Sequence, residues 1–149
     1  MKIYNILVGL LFFVNSINLS AQSSSSGLDY HPVLKIDHLL SGSFAEPRSN
    51  HWHSGIDIKT RGKIGYRVYS IDDGYVSRIK VSPVGYGLAL YVDHPNGITS
   101  VYGHLSKYSD KIARYVKQKQ YEAESFSVDL YLEPDELMVT RGEIIALSG

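Results

Sequence analysis

Two short polar segments hold the residue types that could do chemistry. The chain of 149 residues has six histidines, His31, His38, His51, His53, His94 and His104, and no cysteine. The first segment reads Asn50-His51-Trp52-His53-Ser54-Gly55-Ile56-Asp57. His53 and Asp57 are four residues apart. A helix would put them on one face, but Gly55 and the loop-like flanks argue against a helix. A fully extended strand would also align them, with their Cα atoms about 13 Å apart. That is too far for two bonds of about 2.0–2.2 Å to one zinc ion. The chain must therefore bend between them, and Gly55 permits a bend. An imidazole and a carboxylate together suit zinc in a hydrolytic site. By itself the spacing is weak, because surface His/Asp pairs are common and a structural pair is the plainer reading. The second segment reads Val101-Tyr102-Gly103-His104-Leu105-Ser106. His104 is expected at the end of a strand. There it is either a hydrogen-bonded edge residue, the commoner case, or a general acid or base, since imidazole titrates near neutrality.

Composition narrows the field. Lys+Arg and Asp+Glu are both 15. That balance argues against a nucleic-acid partner, which normally meets a clear basic excess. The lack of cysteine removes disulfides, thiolate metal sites and thiol nucleophiles together. Hydrophobic residues at 44% and charged residues at 20% can fill a packed core, and the length is that of one domain.

The N-terminal segment reads as a targeting signal over residues 1–21. Met1-Lys2 is a short positive start, an apolar run follows from Ile3 to Val14, and Ser20-Ala21-Gln22 supplies a small residue at the cleavage point. The run is too short to span a bilayer comfortably, so an uncleaved anchor is the weaker alternative. Without a cysteine after the run, lipid attachment there is excluded. The expected location is the periplasm, the cell envelope or the outside of the cell. Residues 22–33, with the tract Ser23 to Gly27, read as a flexible linker, and residues 34–149 as the domain.

The elements that must position the two segments are mostly strands. Leu34 to Phe44 is apolar and extended. Arg67 to Ile71, Tyr75 to Val81 and Leu88 to Val92 are short β-branched and aromatic runs, separated by Asp73-Gly74 and Gly85-Tyr86-Gly87. Asn96-Gly97 predicts a tight hairpin with a primed turn between Leu88–Val92 and Ile98–Tyr102. Ile112, Tyr115, Val116, Lys119 and Ala123 recur at helical spacing, so Ser109 to Glu124 is expected as an amphipathic helix with Ser109 as its cap. Ser127 to Leu132 and Glu143 to Leu147 read as two further strands. The sum is an all-β domain of mainly antiparallel sheet with one helical insert.

Taken together, these segments resemble the lysostaphin-type, or LytM-like, zinc endopeptidases of bacterial cell walls. The resemblance runs from about Leu40 to Gly149. His53-Ser54-Gly55-Ile56-Asp57 is similar to the family's His-x-Gly-x-Asp signature. Tyr102-Gly103-His104-Leu105-Ser106 is similar to the signature of its catalytic histidine. Asp73-Gly74-Tyr75-Val76, Gly85-Tyr86-Gly87, Asp93-His94 and Arg141-Gly142-Glu143-Ile144-Ile145-Ala146 resemble intervening turns and strands, in the right order. The resemblance implies the lysostaphin/LytM-type peptidase fold, related to the barrel-sandwich hybrid. It implies a zinc ion held by His53 and Asp57, with His104 assisting the water or the oxyanion, and a peptidoglycan peptide as substrate.

The family's third zinc ligand belongs to a His-x-His motif, which the resemblance puts beyond Gly149. The chain is accordingly expected to be cut short before it, and further domains could follow. His51-x-His53 has that pattern at the wrong place in the order, so Asn50 and His51 are read as residues behind the ligands or in a substrate loop. Lys107 to Thr140 is longer than in compact family members and is read as structural, as shaping the substrate groove or as packing on a neighbouring domain. Arg67 stands where proline is common. The alternative function is a non-cleaving member that binds peptidoglycan or activates another hydrolase. A carrier-like β-module is disfavoured by the absence of a modified-lysine motif.

Overall fold

A computed structural model describes residues 29–49 and 51–149. The targeting segment 1–21, the serine tract and Asn50 lie outside the described residues. Nine strands and one helix follow in order: β1 (Leu40–Gly42), β2 (Asp57–Ile58), β3 (Arg67–Tyr69), β4 (Gly74–Val81), β5 (Leu88–Asp93), β6 (Thr99–Tyr108), α1 (Asp110–Glu122), β7 (Val128–Tyr131), β8 (Met138–Val139) and β9 (Ile144–Ser148). All pairings are antiparallel. β1 and β2 form a small sheet of their own. The large sheet runs β3-β9-β6-β5-β4-β7, and β8 also pairs with β4. The expected all-β domain with one helix is what the described residues form.

Alternation along β4 and β5 builds the core. Val76, Ile79, Leu90 and Val92 are fully buried, joined by Ile145 from β9. Each such side chain contributes about 1.5–3 kcal/mol on burial. The insert is part of this core: Ile112 and Val116 of α1, Val128, Leu132, Leu137 and Val139 all belong to the same cluster. Its role in the described chain is thus to cover one face of the sheet and to extend one edge.

Three local expectations change. The β5–β6 hairpin does not use a primed turn at Asn96-Gly97. Gly97 N–H donates to His94 O at 3.0 Å and His94 N–H to Ile98 O at 2.9 Å, while Gly97 has φ 81° and Asn96 no positive φ. Pro95, with its φ locked near −65°, occupies the first central position, so the chain takes a type I turn followed by a left-handed glycine. Ser109 stands at the helix N-cap, its carbonyl accepting from Ala113 N–H at 2.8 Å, but its hydroxyl makes no capping bond and is buried without a partner. Finally, β6 does not stop at Tyr102 or His104 but runs on to Tyr108.

Residues 29–33, in the segment read as linker, lie along the large sheet. His31 N–H donates to Ile71 O at 2.8 Å, Tyr69 N–H to Val33 O at 3.0 Å, and Arg141 pairs with Asp29.

Candidate active site

His53 closes a hairpin loop over residues 45–53. Ala45 N–H donates to His53 O at 2.7 Å, His53 N–H to Glu46 O at 2.9 Å, and Arg48 N–H to His51 O at 2.9 Å. Ala45 turns the chain with φ 60°. The loop presents the His53 ring so that Nδ1 lies 2.9 Å from the carbonyl oxygen of Ser43. A carbonyl only accepts, so Nδ1 carries the proton and Nε2 the lone pair in the neutral ring.

That lone pair faces Asp57. After the bend at Gly55, β2 brings Asp57 Oδ1 to 3.3 Å from His53 Nε2. A lone pair and a carboxylate oxygen repel unless a proton or a cation lies between them. Two ligands each about 2.0–2.1 Å from a tetrahedral zinc are themselves about 3.3 Å apart. The pair therefore fits two positions of one metal centre. Among the described residues no third His, Cys, Asp or Glu completes the group.

The other oxygen of Asp57 is also held. Arg48 Nη2 donates to Oδ2 at 2.7 Å, and Glu46 Oε1 lies 3.5 Å from Arg48 Nε. The Asp57 hydrogen bond raises the Arg48 guanidinium above its ordinary value, against a smaller effect of burial. Gly42 makes room for this contact. A Cβ there would lie 2.4 Å from Asp57 Oδ2 and 2.6 Å from Arg48 Nη2. Neither Gly42 nor Arg48 stands out in the sequence, because the contacts join β1, the loop and β2 across 15 residues or fewer without any periodic signal.

His104 sits in a β-bulge. Leu90 pairs with Tyr102 and Leu88 with Leu105, so Gly103 and His104 together oppose Ala89. His104 has φ 53°, a left-handed conformation that is uncommon outside glycine but that histidine adopts more readily than most residues. Bulges of this sort re-aim a side chain out of the strand's alternation. His104 N–H donates to Tyr86 O at 2.9 Å, and the Tyr86 ring meets the His104 ring edge-on with centroids 5.7 Å apart. Tyr86 also lies over Gly103, where a Cβ would come within 3.0 Å of the ring. Its hydroxyl is 3.4 Å from Ser54 Oγ, next to His53. Tyr86 thus links the loop of His53 to the bulge of His104. Gly85-Tyr86-Gly87 was legible as a turn between strands, but not as this link.

The family model for Peptidase family M23 matches residues 51–134. That span is more than half of the chain and holds His53, Asp57, Tyr86 and His104. The chain belongs to peptidase family M23. This is the lysostaphin/LytM type that the motifs resemble, and the antiparallel sheet with one helix agrees with it. No curated protein and no solved structure matches the chain. The M23 match also takes in α1 and β7 and ends at residue 134, inside the insert 107–140.

The remaining histidines are placed elsewhere. His51 borders a small surface cavity with Arg48 and Trp52 on the same loop. His38 Nε2 lies 2.9 Å from Leu34 O. His94 is buried and hydrogen-bonded at both nitrogens, to Asp73 O at 2.7 Å and Ser100 Oγ at 2.8 Å. Its role is to tie the turn after β5 to the start of β4.

Proposed function

We propose that this M23 member is a zinc-dependent endopeptidase that hydrolyses peptide cross-links of bacterial peptidoglycan after export through residues 1–21. The observation that carries the reading is the approach of His53 Nε2 to Asp57 Oδ1 at 3.3 Å, with the opposite ring nitrogen fixed on Ser43 O. His53 and Asp57 would hold the zinc. The ion would supply an acidified water and a polarised carbonyl. His104, projecting from its bulge, would donate a hydrogen bond to the developing oxyanion or move a proton to the leaving amine. Arg48 keeps Asp57 turned toward His53. Tyr86 keeps the His104 ring upright beside the loop. Among the described residues no third His, Cys, Asp or Glu joins His53 and Asp57. Gly149 N–H donates to His104 O at 2.9 Å, so any residues following it in a longer chain would enter beside His104.

The test is digestion of purified peptidoglycan by the full-length protein with zinc, reading new amino termini by mass spectrometry. New termini that disappear in His53→Ala, Asp57→Ala and His104→Ala support the proposal. Sedimentation of the protein with peptidoglycan and no new termini would support the non-cleaving alternative instead.

A further inference from the structure

A second cavity, of about 360 Å³, opens between residues 36–37 and 59–66 and shares no lining residue with the His53–Asp57 site. Its wall carries Lys59, Arg61 and Lys63, with Thr60, Tyr66 and Ile36, and one acid, Asp37. We propose that this cavity binds a phosphate group.

The cations of this wall are unspent. Elsewhere cations are mostly committed: Arg48 to Asp57, Arg78 and Lys80 to Asp129, Lys111 to Glu143 and Arg141 to Asp29. Lys59, Arg61 and Lys63 form no ion pair with any described residue, and Asp37 pairs with none of them. Three cations within five residues repel one another, and an anion between them relieves that repulsion.

A tight turn brings them together. Lys63 N–H donates to Thr60 O at 3.1 Å, and the two residues between, Arg61 and Gly62, have φ 55° and 73°. Two successive left-handed residues make a tight type I′ turn. Arg61 sits in a conformation that costs an ordinary side chain about 1 kcal/mol or more. The turn gathers the three cations around one opening rather than spreading them along an extended strand.

The lining is also rich in donors: a guanidinium fork, two ammonium groups and the hydroxyls of Thr60 and Tyr66 outnumber the single acceptor-only carboxylate of Asp37 and leave three positive charges against one negative. A tetrahedral phosphate, with several acceptor oxygens and up to two charges, suits that set better than a singly charged planar carboxylate. The phosphate could be a soluble ester or a lipid headgroup.

The test is a ¹H–¹⁵N titration of the metal-free protein with inorganic phosphate and with glycerol phosphate, against sodium chloride at matched ionic strength. Saturable shifts confined to amides around residues 59–66 are expected. Arg61→Asn, which suits the left-handed turn, and Lys63→Gln should each weaken binding about tenfold, the loss expected for one charge-assisted hydrogen bond. Flotation with phosphatidylglycerol vesicles against phosphatidylcholine vesicles separates the sources. Flotation that the variants abolish makes the source a headgroup. Retained binding of soluble phosphate without flotation makes it a soluble ester. Shifts that track ionic strength alone, together with no flotation, overturn the proposal. So does phosphate binding unchanged in both variants when their thermal unfolding matches wild type.

Discussion

Arg48 and Asp57 meet through one charge-assisted hydrogen bond, Nη2 to Oδ2 at 2.7 Å, on the side of the carboxyl turned away from His53. The consequence is orientation. With Oδ2 engaged, the carboxylate offers Oδ1 alone toward His53 Nε2. Residues that orient a metal ligand in this way commonly change metal affinity by about 10–100-fold when removed. Arg48→Gln is expected to weaken zinc binding by about that factor, and Arg48→Lys by less. Competition with a chromogenic chelator checks it. Equal zinc affinity in wild type and Arg48→Gln would remove the orienting role.

Gly42 tests the same cradle from the other side. A methyl group there would overlap Asp57 Oδ2 and Arg48 Nη2. Gly42→Ala is expected to push the carboxylate off its present position and lower zinc affinity about as much as Arg48→Gln. The double variant should lose little more than either single one, since both act on one contact. A fully additive loss would show that the two residues act separately.

Tyr86→Ala removes the ring that stands edge-on to His104 and covers Gly103. A loss of about 1 Å in placement can cost about 100-fold in rate. Peptide hydrolysis should fall by between 10- and 100-fold while zinc affinity stays within about twofold of wild type. Tyr86→Phe, which keeps the ring, should recover most of the rate. Parallel assays of turnover and zinc binding on both variants decide the point.

Acid stability should depend on Asp93. Burial works to raise its carboxyl, but hydrogen bonds from Thr99, Ser77 and Tyr75 outweigh that and hold it below its ordinary value. A carboxyl lowered in the folded state contributes stability that is complete above the unfolded value, about 3.9. That contribution fades as pH falls through the folded value. Urea unfolding at stepped pH below 5 should therefore show a shallower loss of stability for Asp93→Asn than for wild type. At neutral pH the variant should be the less stable of the two.

Ile112→Ala measures the structural share of the insert. Its side chain is fully buried against the sheet, and truncation of such a residue costs about 2–5 kcal/mol. Tyr131, 73% exposed on β7 with the Arg78 guanidinium 4.9 Å from its ring centre, should lose no more than about 1 kcal/mol when replaced by alanine. Urea midpoints of the two variants separate a helix that holds the core from one that only decorates it.

Much of this was legible from residues alone, where the signal is local. Alternating runs announced β4 and β5, and helical spacing announced α1. The need for a bend between His53 and Asp57 followed from strand geometry, and the chain bends at Gly55. The two-residue strands β2 and β8 had no periodicity to betray them. The hairpin turn was misread because Pro95, one residue before Asn96-Gly97, overrides the preference of that pair. His104 could be picked out as chemistry, yet its bulge depends on how β5 and β6 register against each other. That is a relation between strands and not a property of either. Arg48, Gly42 and Tyr86 escaped for the same reason: each matters through a contact with a residue far enough away in sequence to leave no pattern.

The sheet arrangement gives the two halves of the site different lives. His104 rides on β6, a ten-residue strand that pairs with β5 over residues 99–105 and with β9 over residues 105–108. Asp57 rides on β2, a two-residue strand whose one partner is β1, and His53 closes a surface loop. Amides of β6 should then exchange with solvent only on global unfolding, while those of β1, β2 and the 45–53 loop exchange through cheap local opening. On the roles proposed above, a metal held by His53 and Asp57 would be loaded or stripped through that opening while the strand bearing His104 stays closed.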